Sequence, residues 1–293
     1  MFRQRTGSVV CASCGSLVGV NDDQCYSCGR RNPGLWGFGP VLRRFGNDLG
    51  FTPAIVYGCA GLYALSLILT VVSGGNLFSG SVFSMLGPNN VACLALGAAG
   101  AYPVFGEGHW WTVLSAGWLH AGALHILLNL FWVRQLGPAV ADMYGGARMV
   151  IIYTIASVCG FFLSSFLAAH AQIPFFSGGS LTLGASAPIF GLLGALVHYG
   201  RRGGSSVVRS QAMNYAITMF VFGLFVPGID NAAHLGGFVG GYLTAKWLDP
   251  LKPERMDHFV GAAVCLLATA AAIIASLVAA APALKYFVFG LDA

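Results

Sequence analysis

Two sets of side chains in this sequence are of the kind that perform chemistry. Near the start, Cys11-Ala-Ser-Cys14-Gly and Cys25-Tyr-Ser-Cys28-Gly repeat one knuckle with ten residues between them. Four thiolates at that spacing suit tetrahedral Zn²⁺, and the small residues let backbone amides turn toward the sulfurs. Pairing as two disulfides is the alternative, and a reducing cytosol disfavours it. Far downstream, Ser186 stands in "GASAPIF", His234 in "DNAAHLGG", and His120, His125 and Asn129 in "GWLHAGALHILLNLF". A serine hydroxyl is a weak nucleophile until a base takes its proton, and neutral histidine is the usual base. The question is which elements would bring these residues together.

The chain has 293 residues, 56% of them hydrophobic and 9% charged, against about 25% charged in soluble domains. Long unbroken apolar runs point to an all-α polytopic membrane protein; an outer-membrane β-barrel would instead alternate apolar and polar residues. Seven spans are expected: Pro53 to Ser73, Leu119 to Leu136, Met149 to His170, Ser186 to Tyr199, Ala212 to Val226, Asn231 to Trp247 and Phe259 to Ala281. No cleavable signal segment is evident in the first fifty residues. Arginines and lysines gather before the first span and in alternate loops, leaving Lys285 outside, which puts the N-terminus in the cytosol and the C-terminus outside. The net charge of +5 therefore reports topology, and no nucleic-acid partner is implied. The four remaining cysteines, Cys59, Cys93, Cys159 and Cys265, lie in or beside apolar runs and are read as packing residues.

The fourth span explains how Ser186 could be reached. Pro188 is comfortable only in a first turn, so the helix starts near Ser186. The fourteen residues to Tyr199 reach about 21 Å, roughly 10 Å short of a hydrocarbon core. Ser186 should thus lie below the outer surface, after irregular backbone that protein must bury or water must reach. A plain helix N-cap is the bland alternative. Spans two, four and six all descend from the outside, so their first turns share a depth, and a serine, three histidines and an asparagine fall in that layer. Intramembrane ionisable residues mark functional sites. His234, among small residues, is assigned as base to Ser186. His125 and Asn129, one turn apart, are assigned as N–H donors to a developing oxyanion. His120, on the opposite face, should pin the preceding loop by hydrogen bonds. Asp230 is expected too close to the outer edge to be a third member, leaving a dyad. His109, His170, His198 and His258 are expected at the two interfaces.

With these residues in view, the sequence resembles the rhomboid family of intramembrane serine proteases. The likeness runs from about Leu96 to Trp247 through "GEGHWWTVLSAGWLHAGALHILLNL", the Gly-x-Ser stretch "GASAPIFGLLGAL" and "DNAAHLGGFVGG". It implies a six-helix rhomboid core with a seventh C-terminal helix, and the same roles for Ser186, His234, His125, Asn129 and His120. It adds Gly184 as part of the motif and Phe190 as an aromatic packed on the His234 ring. Thr112 stands where the family often has arginine, and Ala187 where it often has glycine after the nucleophile. The expected activity is endoproteolysis of transmembrane proteins near the outer face through an acyl-enzyme, with no cofactor for catalysis. A relative that only binds transmembrane helices would be expected to lose the serine or the histidine. A transporter would be expected to carry an internal repeat. The expected domains are residues 1–31 as a zinc ribbon with structural zinc, 32–50 as linker, 51–249 as core, and 250–293 as extra helix and outer tail. The expected surroundings are the lipid bilayer of a bacterial inner membrane and a cytosolic partner for the ribbon.

Overall fold

The computed structural model describes residues 3–11, 14–39, 48–78, 85–171, 173, 176–252 and 254–289. Arg43 and Arg44, two of the arginines before the first span, lie outside these. The N-terminal strands β1 (Ser8–Val10) and β2 (Leu17–Gly19) pair antiparallel, with Val9 opposite Val18. Their small core is Val9, Cys11, Val18, Val20 and Cys25. The chain beyond residue 31 folds back on it: Gln4 N–H donates to the Gly37 carbonyl (3.0 Å), and Leu35 is buried.

The rest is helical. Helix α1 (Phe51–Val72) is started by Asp48, whose carboxylate accepts from the amides of Gly50 (3.1 Å) and Thr52 (2.9 Å). The short α2 (Asn90–Leu96) is capped by the Asn89 side chain on Ala92 N–H. A π-helical turn over Tyr102–Gly106, the four-residue α3 (Thr112–Ser115) and a 3₁₀ turn to Trp118 lead to α4 (Ala123–Tyr144). Then come α5 (Gly146–His170), α6 (Ser186–Arg202), α7 (Ser206–Phe225), α8 (Asn231–Leu248), α9 (Met256–Ala279) and α10 (Ala281–Phe289).

Three boundaries differ from expectation. The second span begins at Ala123, because Leu119 is extended and the chain turns through a 93° bend between the α3 segment and α4. His120 therefore sits in the bend and not on the helix. Helix α6 runs past Tyr199 to Arg202, adding two cations to its C-terminal turn. The C-terminal tail, expected outside, is helical as α10 over Ala281–Phe289. By length and apolarity, α1, α5 and α9 can cross a membrane, and four spans result if the bent α3–α4 pair counts as one. The other long helices, α6 to α8, do not meet that test, although the sequence read all three as spans.

Helix α6 is the axis of the bundle. Every residue from Ala187 to His198 is buried, as befits a helix surrounded by others, here α4, α5, α7 and α8. It meets α8 through glycines: a Cβ on Gly237 would overlap the Ala187 carbonyl, and one on Gly241 the Gly191 backbone. Small residues at both contacts let the two helices approach backbone to backbone. At the end of the bundle where α8 gives way to α9, a buried polar cluster joins the parts. Glu254, between α8 and α9, accepts from the Arg148 amide at the head of α5 (3.1 Å). The Arg148 guanidinium donates to the carbonyls of Leu248 (2.9 Å), Asp249 (3.0 Å) and Lys252 (2.9 Å). Arg30 reaches in from the ribbon, 4.0 Å from the Glu254 carboxylate and over the Phe259 ring.

Candidate active site

Ser186 is the first residue of α6, with Ala185 in the cap position and no side-chain cap. A plain N-cap role for the hydroxyl is therefore not what the helix uses. The approach to it is fixed by the backbone. Thr182 pairs with Ala99 in both directions (2.7 and 3.0 Å), and Gly184 N–H donates to the Ala116 carbonyl (2.9 Å). Gly184 has φ +134°, a conformation that L side chains rarely adopt. A Cβ there would lie 2.7 Å from Cε1 and Nε2 of His125 and 3.8 Å from Ser186 Oγ. The bare glycine thus lets the imidazole edge of His125 come against the backbone just ahead of the serine.

The hydrogen bonds of His125 set its proton. Ala121 N–H donates to Nδ1 (3.1 Å), so in the neutral ring Nε2 carries the hydrogen. Asn129, buried one turn on, gives one N–H to the His125 carbonyl (3.0 Å) and keeps the second. His120 is buried edge-on to His125, ring centroids 5.3 Å apart. Neither of its ring nitrogens has a hydrogen-bond partner of good geometry among the described residues.

His234 sits on the first turn of α8, buried, its ring stacked on Phe190 at 4.2 Å and 14°. Phe190 follows Ser186 by one helical turn, so this stack ties the imidazole to the serine helix. Asn231 Oδ1 lies 3.3 Å from His234 Nδ1; with that oxygen accepting, Nδ1 holds the proton and the Nε2 lone pair is free. Sequence reasoning missed Asn231. The signal was present: an amide three residues before the histidine, on the same face of the first turn. Asp230 is engaged elsewhere. It caps Ala233 N–H (2.9 Å) and accepts from the hydroxyls of Thr182 (2.7 Å) and Ser164, stitching α5, the serine loop and α8 together. Among the described residues no hydrogen bond within 3.5 Å joins Ser186 to His234; such bonds often tighten only when substrate is bound.

Of the other histidines, His109 stacks on Trp111 and His170 meets Phe105 and Phe166. His198 departs from the interfacial expectation: it is buried, 3.1 Å from the Tyr144 hydroxyl, with its ring edge-on to Tyr242.

The cysteines of both knuckles converge. The sulfurs of Cys11, Cys14, Cys25 and Cys28 all lie within 4.8 Å of one another, with Cys11 to Cys28 at 3.8 Å and Cys14 to Cys25 at 3.6 Å. A regular tetrahedron of ~2.3 Å Zn–S bonds has edges of about 3.8 Å, so the thiols fit zinc. The knuckles match bond for bond: Gly15 and Gly29 donate to the carbonyls of Cys11 (3.1 Å) and Cys25 (2.9 Å), and those cysteines' amides donate to Ser16 and Arg30 (2.8 Å each). Burial pushes the Cys28 thiol up to about 12, and burial also works on Cys14, but its hydrogen bonding with Ser16 and the neighbouring thiols of Cys28 and Cys25 lowers that thiol to about 6.

Fold and site together define a helical membrane protein with a serine, histidine and asparagine cluster sunk among its helices, and a cysteine ribbon in front. Residues 107–250 match the model of the Rhomboid domain. This stretch, just under half of the chain, carries the rhomboid domain. It is similar to Rhomboid protease GluP of Bacillus subtilis, 29% identical over 221 residues, covering 74% of this chain and 39% of that protein. RHOMBOID-like protein 7 of Arabidopsis thaliana is 32% identical over 167 residues, 54% of this chain and 49% of its own. Rhomboid-like protease 3 of Toxoplasma gondii is 30% identical over 165 residues, 53% and 57%. The chain thus spans roughly two fifths to just over half the length of these curated relatives.

Proposed function

We propose that this chain is an intramembrane serine endopeptidase acting on transmembrane proteins by a Ser186–His234 dyad. The observation that carries the reading is the orientation of His234. Phe190 fixes the plane of its ring and Asn231 occupies Nδ1, which leaves Nε2 as the only basic atom. In the proposed reaction Nε2 takes the Ser186 proton as Oγ bonds to the scissile carbonyl carbon. The oxyanion receives Nε2–H of His125 and the spare N–H of Asn129, donors of a kind that contribute about 2.7–4 kcal/mol each. His234 then gives its proton to the leaving amine as the C–N bond breaks. Water, deprotonated by the same nitrogen, releases the acyl-enzyme.

The substrate is a transmembrane helix that unwinds near its outer end, where Gly, Pro or polar residues weaken it, with a small residue before the cut. In this reading the ribbon lies in the cytosol, Ser186 opens to the outside, and Cys11, Cys14, Cys25 and Cys28 hold a structural zinc that takes no part in catalysis. The relatives come from organisms as different as Bacillus subtilis, Arabidopsis and Toxoplasma, so a bacterial inner membrane remains part of the proposal. A cytosolic partner of the ribbon is a separate proposal, since its buried Arg30 contacts the core of the same chain. The test is cleavage of a purified transmembrane substrate by the detergent-solubilised or reconstituted protein. The expected result is cleavage within the outer part of the span, lost on Ser186→Ala. Cleavage persisting in that variant, or absent from the unaltered protein, would reject the reading.

A further inference from the structure

Helix α9 follows the last helix that carries a site residue, yet a hydrogen bond ties it to the segment that leads to the site. Trp111, the cap residue of α3, donates its indole Nε1–H to Ser276 Oγ of α9 at 3.0 Å. Ser276 is buried and passes its own proton to the Ala272 carbonyl (2.9 Å), so its oxygen is held in place to accept. The contact is built on a bare glycine: Gly97 has φ +95°, and a Cβ there would lie 2.6 Å from Ser276 Oγ and overlap the Ser115 hydroxyl. Ser115 in turn donates to the Gly97 carbonyl (2.7 Å). One residue past Ser115, the Ala116 carbonyl accepts the Gly184 amide (2.9 Å), two residues before Ser186. Leu277, next to Ser276, packs on the buried cluster of Cys93, Leu96, Ala98 and Leu119, against which Leu183, the neighbour of Gly184, also packs.

We propose that Ser276 is a positioning residue: through its hydrogen bond from Trp111, helix α9 fixes the α3 segment, whose Ala116 carbonyl sets the backbone that presents Ser186. The inference rests on the proposed protease activity. Without the bond, α3 keeps its apolar packing but loses its one polar tie to α9 among the described residues, and the Ala116–Gly184 contact loosens. Substrate contacts are untouched, so the loss falls on the chemical step.

The experiment uses the full chain with Ser276→Ala, Trp111→Phe and the pair. Trp111→Phe keeps an aromatic ring and deletes the N–H donor, with a smaller ring left against His109; Ser276→Ala removes the acceptor without that change in size. Two rates are read on the folded, monodisperse fraction: kcat and KM on a transmembrane substrate, and labelling of Ser186 by a small fluorophosphonate, in which Oγ bonds to phosphorus and fluoride leaves. Each single variant should lose about three- to tenfold in both kcat and labelling rate, the range expected for one neutral hydrogen bond. KM should change less than about twofold, and the double variant should be no worse than either single one. Effects that multiply in the double variant, or that fall on KM or the melting temperature with labelling unchanged, would overturn the proposal. An unaltered protein that neither cleaves nor labels would instead reject the protease reading itself.

Discussion

The cysteine ribbon and the serine site are held in shape by opposite means. The ribbon has two three-residue strands and a five-residue core of which two members are cysteines; so small a core cannot offset the entropy of ordering the chain. On the proposal that its four thiols hold zinc, its geometry is the geometry of that ligation. The serine site owes nothing to a bound group. Its imidazoles are held by Phe190, by Asn231, by the Ala121 amide and by glycines that let α6 and α8 touch. A site made by packing is preorganised before substrate arrives, whereas one made by ligation exists only when loaded. Two treatments should separate them: metal removal should abolish the first and spare the second, and point changes among the packed rings should do the reverse.

The largest effect expected is on the packed site. Ser186→Ala and His234→Ala should each reduce cleavage by at least about 10³-fold, and the double variant should be no worse, because the two act as a unit. Retention of more than a few per cent by either, measured with a substrate cleaned of other proteases, would break the assignment. Next comes Gly184→Ala. It forces a Cβ into a left-handed backbone position and within 2.7 Å of the His125 ring. A displacement of this order costs about 10²-fold in rate, so kcat should fall by about that much while the fold persists. A near-normal kcat would mean that the placement of His125 does not matter to the reaction.

How much of this contrast could be read from the chain alone follows the same division. Knuckle spacing is local in sequence, so the cysteine cluster was legible residue by residue. Helix starts are also local, and Pro188 placed Ser186 on a first turn where the structure has it. What could not be read were contacts between segments distant in sequence. The bend that takes His120 off α4 is the 93° turn between the α3 segment and α4, whereas the apolar run from Leu119 reads as helix from its first residue. His198 looked interfacial because it precedes Arg201 and Arg202, yet Tyr144 and Tyr242 enclose it. Arg30 looked like one more topology-setting cation and is instead buried against Glu254, 224 residues away in sequence. Asn231 was within reach of the sequence, being one turn before His234, but an amide carries no charge to mark it as the partner of an imidazole.

The ribbon supplies the converse test. Cys25→Ser should take the zinc content from about one per chain to none and unfold residues 8–31, read as loss of amide protection there. Fluorophosphonate labelling of Ser186 should stay within about twofold of the unaltered chain, since the two sites share no ligand or ring. Loss of labelling together with zinc would erase the distinction between the regions.

The smallest effect expected lies where the regions meet. Burial raises the Glu254 carboxyl above its ordinary value, although the Arg148 amide and the guanidinia of Arg148 and Arg30 pull the other way. A carboxyl whose pKa is higher in the folded chain than in the unfolded one binds its proton more tightly when folded. Its contribution to stability is then greatest at low pH and is lost as pH rises from the ordinary carboxylate value through the raised one. Glu254→Gln removes that titration while keeping an acceptor oxygen for the Arg148 amide. The melting temperature of the unaltered protein, compared with that of Glu254→Gln, should therefore decline across that window and run parallel above it. The change should be no more than a few degrees, about what 1 kcal/mol does to a chain of this size. A difference that grows with pH would mean that the two arginines outweigh burial, and that the ribbon is held to the core by charge.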